Sequence, residues 1–418
     1  MPFWKSQKFR TIAITTALIC FSIALRILSA GVKTDDYDTY LHVWVESYRH
    51  QSVGVALRST ISDYPPIYNY FLILFSRMPI FDLYLIKILS QIFEVLSAFA
   101  LCMIIAKLKR QKFSWILFGL VLLFPAFLLD SAVWGQCDAI YTFFVLIGLY
   151  FAITKRSFKA CLFLGLGLAV KLQAILSFPI LLVLLLAKTD DGRRYVNWKH
   201  LFIIPMPFFV LNCVPIFAGK NVFTTFGVYL KQANEHRYLS FVTNIPKIFA
   251  VATKNSPTLI FNLVVIFFVM LTVAWLSFVL FYAIKTARKR VLLVHELVFL
   301  TILTVGGALF IMPLMHERFL YIAMLLGFVL VYTSTPNQVR GSMVIFLTLG
   351  FAITAMFVYY FLQPGWWLKI LCFVIAAISY TAFFLFANYK FVMNYYLTKP
   401  NNHVNNLNHG EDDNQILG

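Results

Sequence analysis

Three carboxylates stand within four residues in the stretch Thr34-Asp35-Asp36-Tyr37-Asp38. A carboxylate so placed could take a proton from an attacking hydroxyl, acting as a general base. The plainer alternative is a solvated acidic loop or a helix N-cap. The same stretch runs on through His42, Trp44 and Glu46 to Asp63-Tyr64-Pro65-Pro66. Aromatic rings beside carboxylates suit a sugar, whose apolar face stacks while its hydroxyls hydrogen-bond.

Other polar groups interrupt apolar sequence further on. They are Asp130, Trp134-Gly135-Gln136-Cys137-Asp138, Lys171 with Gln173, Asn234-Glu235-His236-Arg237, and His316-Glu317-Arg318. The last is the sharpest, because it sits between two apolar runs with almost no loop to solvate it. A plain tight turn there would favour Gly, Asn or Pro. Lys171 and Arg318 are cations that could meet a phosphate. Arg26 and Lys87 read as snorkelling side chains. Glu94 would lie about 15 Å along a helix from Tyr84, near the membrane midplane. It reads as a neutral acid paired to a backbone group, with no specific role.

The elements that must position these groups are helices in a bilayer. The chain has 418 residues, 61% hydrophobic and only 12% charged. Soluble domains carry about 25% charged residues. With 44 Phe, 21 Tyr and 8 Trp and a mean hydropathy of +0.81, a soluble globular enzyme, a disordered chain and a fibre are excluded. Apolar runs fall at about 11–30, 84–106, 114–129, 138–154, 160–170, 172–187, 200–218, 258–284, 292–313, 319–334, 342–362 and 366–388. In lipid only helices satisfy the backbone of such runs. The expected fold is therefore an all-α integral membrane bundle of about 12 transmembrane helices.

Basic residues crowd Lys107–Lys112, Lys155–Lys159, Lys188–Lys199 and Lys285–Arg290. Such segments stay inside, which puts the N-terminus inside and the candidate residues outside. The stretch Ile67–Ile80 is short and holds Arg77 and Pro79, so it reads as an external helix at the interface or re-entering the membrane. Large external loops are expected at about 31–83 and 219–257. The short runs on either side of Lys171 read as broken helices lining a cavity. Residues 1–389 form one membrane domain, and the Asn-rich 390–418 reads as a disordered cytoplasmic tail. The first run, which lacks a small-residue cleavage site, reads as a retained anchor.

The formal net charge is +18. Loop asymmetry accounts for it, and no basic run interleaves with stacking aromatics as nucleic-acid binding requires. The six Cys form no CxxC and read as buried small hydrophobes. There is no GxxxxGK[ST], GxGxxG or HExxH pattern, which argues against nucleotide-driven chemistry. A sugar donor would have to arrive already in the membrane.

These residues resemble those of the GT-C superfamily of polytopic glycosyltransferases, which use polyprenyl-phosphate sugars. The likeness is closest to bacterial proteins related to the GPI mannosyltransferases, and extends to the dolichyl-phosphate-glucose glucosyltransferases. It rests on Asp36-Tyr37 followed by Trp44, Asp63-Tyr64-Pro65-Pro66, Trp134-Gly135-Gln136-Cys137-Asp138, Lys171 with Gln173, and His316-Glu317-Arg318, in that order over about residues 10–335. The resemblance implies a GT-C-like bundle and an inverting transfer of a hexose, mannose or glucose, from a polyprenyl-phosphate donor. It implies Asp36 as the catalytic base, with Asp35 and Asp38 as runners-up. Lys171, His316 and Arg318 would bind the donor phosphate. Tyr37, Trp44, Asp63, Tyr64, Gln136, Asp138, Gln173 and Glu317 would bind sugar or acceptor. No metal or cofactor is expected. The acceptor would be a glycolipid, wall polymer or protein at the outer face of a bacterial plasma membrane. The alternatives are a transporter or flippase of lipid-linked sugars, and a ligase or polymerase that moves whole oligosaccharides.

Overall fold

The structure is a computed structural model that describes residues 7–187, 192–228, 240, 243–253, 256–361 and 365–397. All twelve apolar runs fall on helices. Among the described residues there is no β-strand, and an isolated parallel bridge joins Ser240 and Met315. Among the described residues seven helices are long and apolar enough to cross a membrane: Gln7–Ser29, Asp82–Lys109, Trp198–Phe217, Thr258–Lys289, Val294–Ile311, Pro336–Tyr360 and Trp366–Tyr396. A bent pair, Trp115–Leu122 with Pro125–Trp134, makes an eighth if taken as one span. Pro66–Phe75, Asp138–Ile153, Ser157–Val170 and Leu172–Leu186 are apolar but shorter. The protein is a multi-pass helical membrane protein.

Val294–Ile311 is 83% buried, whereas the long window of Gln7–Ser29 is 11% buried. A helix that is apolar on every side belongs in the middle of a bundle. Val294–Ile311 and its neighbour Tyr321–Thr333 hold that place. The connection between them carries His316-Glu317-Arg318, so the triplet lacks a solvating loop because it lies within the bundle. Asn244 secures its start by donating to the carbonyls of Leu309 (2.9 Å) and Met312 (3.0 Å), the open end of the helix. Leu314 then bends the chain at φ 61°, a left-handed conformation that costs a residue with a Cβ roughly 1–2 kcal/mol.

Two helices break where polar groups are delivered. The 114–129 run bends by 55° ahead of Pro125. Proline has no N–H and disfavours helical geometry in the preceding residue, and Phe124 is extended. The break frees the Leu122 carbonyl, to which Arg26 Nη1 and Nη2 both donate at 3.2 Å. Arg26 also pairs with Glu94 at 2.8 Å, and the Ser131 hydroxyl donates to the same carboxylate. Arg26 therefore does not snorkel, and Glu94 pairs with a guanidinium, not a backbone group. A broken helix and a carboxylate at membrane depth need donors, and Arg offers five. Lys87 does not snorkel either. Its ammonium donates to the carbonyls of Ser29 (2.8 Å) and Val32 (2.7 Å), closing the first helix.

The second break is at Lys171, extended between Ser157–Val170 and a 3₁₀ turn, Leu172–Ser177. Ser157–Val170 packs tightly on the chain beyond it: a Cβ on Gly165 would sit 2.3 Å from the Ile204 carbonyl oxygen.

The stretch 31–83 contains the short helices His42–Arg49, Val53–Arg58 and Pro66–Phe75. At the other end, helix continues through Phe391 and a π turn, Val392–Tyr396. That is past residue 389, where the sequence reading ended the membrane domain. Asn234 to Arg237 and residues 398–418 lie outside the described residues.

Candidate active site

Asp36 enters the site on the first turn of a helix that continues as a π turn, Tyr37–Leu41. The Thr34 carbonyl accepts from the backbone of both Tyr37 (2.9 Å) and Asp38 (3.0 Å). The Asp36 carboxylate keeps 33% of its side-chain surface exposed. Its Oδ2 accepts three bonds from distant segments: Trp134 Nε1 (2.9 Å), Gln136 Nε2 (2.8 Å) and Arg318 Nη1 (3.1 Å). Its Oδ1 has no partner among the described residues. Asp35 and Asp38 are exposed, and neither side chain has a hydrogen bond or ion pair among the described residues.

The turn that supplies Trp134 and Gln136 depends on Gly135, at φ +73°, which a glycine adopts without strain. The Gln136 amide donates to the Asp130 carbonyl (3.1 Å) and its carbonyl accepts from the Ser90 hydroxyl (2.7 Å). Asp138 opens the next helix, where the macrodipole favours an anion. It is fully buried. Lys171 Nζ lies 2.8 Å from Asp138 Oδ1, and Arg318 Nε lies 3.7 Å from Oδ2.

Lys171 is only 5% exposed. Its ammonium stands 5.7, 5.9 and 5.4 Å from the ring centres of Tyr64, Tyr141 and Phe319, within cation–π range. The break in its helix thus aims Lys171 inward at a buried carboxylate. Arg318 spans both carboxylates, with its guanidinium 4.8 Å over the Trp134 ring. Burial opposes its charge, but Asp36, Tyr64, Asp138 and Glu317 together hold its pKa well above the ordinary arginine value.

The remaining sequence candidates are dispersed around this centre. Tyr37 is buried and donates to Asp82 Oδ1 at 3.0 Å, while His42 Nδ1 meets Asp82 Oδ2 at 2.9 Å. Burial first, then the charge of Asp82, raises the Tyr37 phenol pKa, so it stays a donor. Trp44 is also buried, packed edge-on against Tyr64 at 5.7 Å and 74°. Neither ring has a face free to stack on a sugar, contrary to the sequence expectation; both support the loop beneath Asp36. Tyr64 is half-buried, with its hydroxyl 3.4 Å from Gln136 Oε1. Asp63 and Gln173 are half-buried, and Gln173 Oε1 accepts no hydrogen bond among the described residues. His316 Nδ1 lies 3.9 Å from the Glu317 carboxylate. Glu317 is buried without a hydrogen bond to either carboxylate oxygen among the described residues. Burial pushes its carboxyl up to about 7, against the pull of Arg318.

The fold therefore brings together Asp36, Trp134, Gln136, Asp138, Lys171, Arg318 and Tyr64. Sequence reasoning had no role for Trp134, although it opens the Trp134–Asp138 motif, and missed Asp82 and the rings of Tyr141 and Phe319 around Lys171. Among the described residues no group of three or more His, Cys, Asp or Glu is arranged to hold a metal. The arrangement can take a proton at Asp36 Oδ1 while a guanidinium alongside meets developing negative charge.

The chain matches the model of Glycosyltransferase family 87 over residues 63–313 and belongs to that family, whose members are GT-C-like membrane glycosyltransferases. No curated protein matches it. The matched stretch includes Trp134, Gln136, Asp138 and Lys171. Asp36 precedes it and Arg318 follows it, so the fold joins both flanks to the matched core. The family is one of transferases, and the transporter and flippase readings are set aside.

Proposed function

We propose that this glycosyltransferase moves a hexose, mannose or glucose, from a polyprenyl-phosphate donor to an acceptor hydroxyl in one inverting displacement. The observation that carries the reading is the Asp36 carboxylate: Oδ2 is held by three donors, including Arg318, and Oδ1 is left open. A general base must be both oriented and accessible, and Asp36 is both. Oδ1 takes the acceptor proton as the acceptor oxygen bonds to the anomeric carbon. The bond from that carbon to the donor phosphate oxygen breaks, and the lipid phosphate leaves. Arg318 and His316 meet its charge. Lys171 neutralises Asp138 from the far side, leaving Arg318 positive charge to spend on the leaving group. Such preorganised charge is worth most where water is excluded, and it needs neither metal nor cofactor.

Basic segments between other helices argue that the site faces outward, from what we take to be a bacterial plasma membrane. The acceptor would then be a glycolipid, wall polymer or protein. We also propose kinship with the GPI-mannosyltransferase-related and dolichyl-phosphate-glucose enzymes, supported by the Asp36-Tyr37, Asp63-Tyr64-Pro65-Pro66 and His316-Glu317-Arg318 motifs.

The test is transfer by purified protein in nanodiscs, given radiolabelled polyprenyl-phosphate hexoses and a membrane-lipid extract. Label should reach a new product with the wild type and not with Asp36→Asn. Transfer only from a lipid-diphosphate oligosaccharide would replace this reading with a ligase or polymerase.

A further inference from the structure

Val294–Ile311 has the candidate active site at its C-terminal end. Its 18 residues span about 27 Å, roughly the apolar thickness of a bilayer. At its N-terminal end lies a cavity of about 410 Å³, within the size range of ligand sites. No role in sugar transfer reaches this far.

The chemistry of the cavity is divided. Phe299, Leu330 and Ile345 give it an apolar wall. Its polar side holds a self-satisfied pair, Arg290 donating to both oxygens of Glu296 at 2.8 and 2.6 Å. The Leu293 backbone N–H (2.8 Å) and Tyr395 (3.4 Å) add two further contacts to that carboxylate. Neutral groups also pair with each other. Ser334 and Ser342 share a hydrogen bond of 2.6 Å, and Gln338 lies 3.1 Å from His295 Nε2.

Lys390 is the exception. It lines the cavity, yet among the described residues its ammonium has no anionic partner, only the Phe386 ring at 5.7 Å. Gly341 leaves room for it: a Cβ there would stand 3.1 Å from Lys390 Cε. With Arg290 and Glu296 cancelling, the cavity carries one uncompensated positive charge beside hydroxyl and amide groups and an apolar wall. Exposed Arg288, Lys289 and Arg340 lie close by in the chain and add positive potential.

We infer that this cavity binds the phosphate headgroup of an anionic membrane phospholipid, with Lys390 as its cation. The phosphate accepts from the Lys390 ammonium, and the lipid's apolar part lies along Phe299, Leu330 and Ile345. A free phosphate would satisfy the cation but leave the apolar wall unused. Position favours the lipid as well, since the cavity lies at the end of the bundle where the hydrocarbon layer stops.

The test uses the full chain, delipidated in detergent, in native mass spectrometry. It is titrated with phosphatidylglycerol, with phosphatidylcholine of the same acyl chains, and with inorganic phosphate. Losing one charge-assisted contact corresponds to about a tenfold loss of affinity. Wild type should retain one phosphatidylglycerol in preference to phosphatidylcholine. Lys390→Gln should bind phosphatidylglycerol about tenfold more weakly, Lys390→Arg should bind it as wild type does, and Arg156→Gln, in another basic loop, should change nothing. Thermal unfolding of each variant verifies that it is folded. Equal retention of both lipids, an unchanged Lys390→Gln, or equal weakening by Arg156→Gln overturns the site. Binding of inorganic phosphate as tight as that of the lipid, and lost in Lys390→Gln, overturns the lipid as its occupant.

Discussion

Arg318 Nη1 lies 3.1 Å from Asp36 Oδ2 although 282 residues of chain separate the two. The proposed base and the proposed leaving-group cation are thus already partners before substrate arrives. Arg318 also leans toward Asp138 at 3.7 Å, so it sits between two carboxylates with a planar fork suited to both. A donor phosphate would draw on this guanidinium in place of Asp36, freeing the base as the leaving group is secured.

Arg318→Ala should lower kcat by about 10²–10³, the usual cost of removing one donor aimed at developing charge. Arg318→Lys should recover little, since a point charge on a flexible stem cannot reach both carboxylates as a fork does. Steady-state transfer kinetics decide it. Wild-type kcat in Arg318→Lys would mean that only charge matters there, and wild-type kcat in Arg318→Ala would remove Arg318 from the chemistry.

The three neighbouring acids should separate cleanly. Asp36→Asn keeps the shape and should still face Trp134, Gln136 and Arg318, yet it cannot take a proton. Transfer should fall by about 10²–10⁴. Asp35→Asn and Asp38→Asn, on exposed side chains, should stay within about twofold, as surface changes usually do. Loss of transfer in Asp38→Asn with retention in Asp36→Asn would reassign the base.

How far the sequence spoke for itself depended on the range of each interaction. The bilayer fold was legible because lipid leaves the backbone no alternative to helix. The break at Lys171 was legible because a cation interrupts an apolar run. Composition could not separate Asp35, Asp36 and Asp38; only the arrival of donors from residues 134, 136 and 318 distinguishes Asp36. Arg26 and Glu94 stand 68 residues apart, so each looked solitary. Tyr37 and Trp44 looked like sugar platforms because residue type does not reveal which face is buried. Pro125 was visible in its run, but the 55° bend it causes was hidden by the unbroken hydrophobicity around it.

Glu317 should make stability depend on pH. Its folded pKa, about 7, lies above the ordinary 4.5 because the carboxyl is buried. A group whose folded pKa is raised contributes stability that is full below the unfolded value and lost as pH climbs through the folded one. Against Glu317→Gln, wild type should therefore lose on the order of 3 kcal/mol between about pH 4.5 and pH 7. Thermal unfolding of both proteins across that range is the measurement. Parallel profiles would mean that Glu317 does not titrate in this window.

The Arg26–Glu94 pair should be costly to break and cheap to remove whole. Glu94 is fully buried and Arg26 is 8% exposed, so Glu94→Ala strands a guanidinium at membrane depth with carbonyls as its remaining acceptors. Breaking one side of a buried pair costs about 3–5 kcal/mol. Replacing both partners with apolar residues, as in Arg26→Met with Glu94→Leu, removes the stranded charge along with the pair. Such exchanges are often neutral or stabilising. Here, however, Arg26 also donates to the Leu122 carbonyl freed ahead of Pro125, and its loss leaves that acceptor only the Ser22 hydroxyl at 3.3 Å, so the double variant should still lose about 0.5–1.5 kcal/mol. The expected order of thermal stability in detergent is wild type, then the double variant, then Glu94→Ala. A double variant less stable than Glu94→Ala would show that capping the broken helix, more than pairing with Glu94, is what Arg26 contributes.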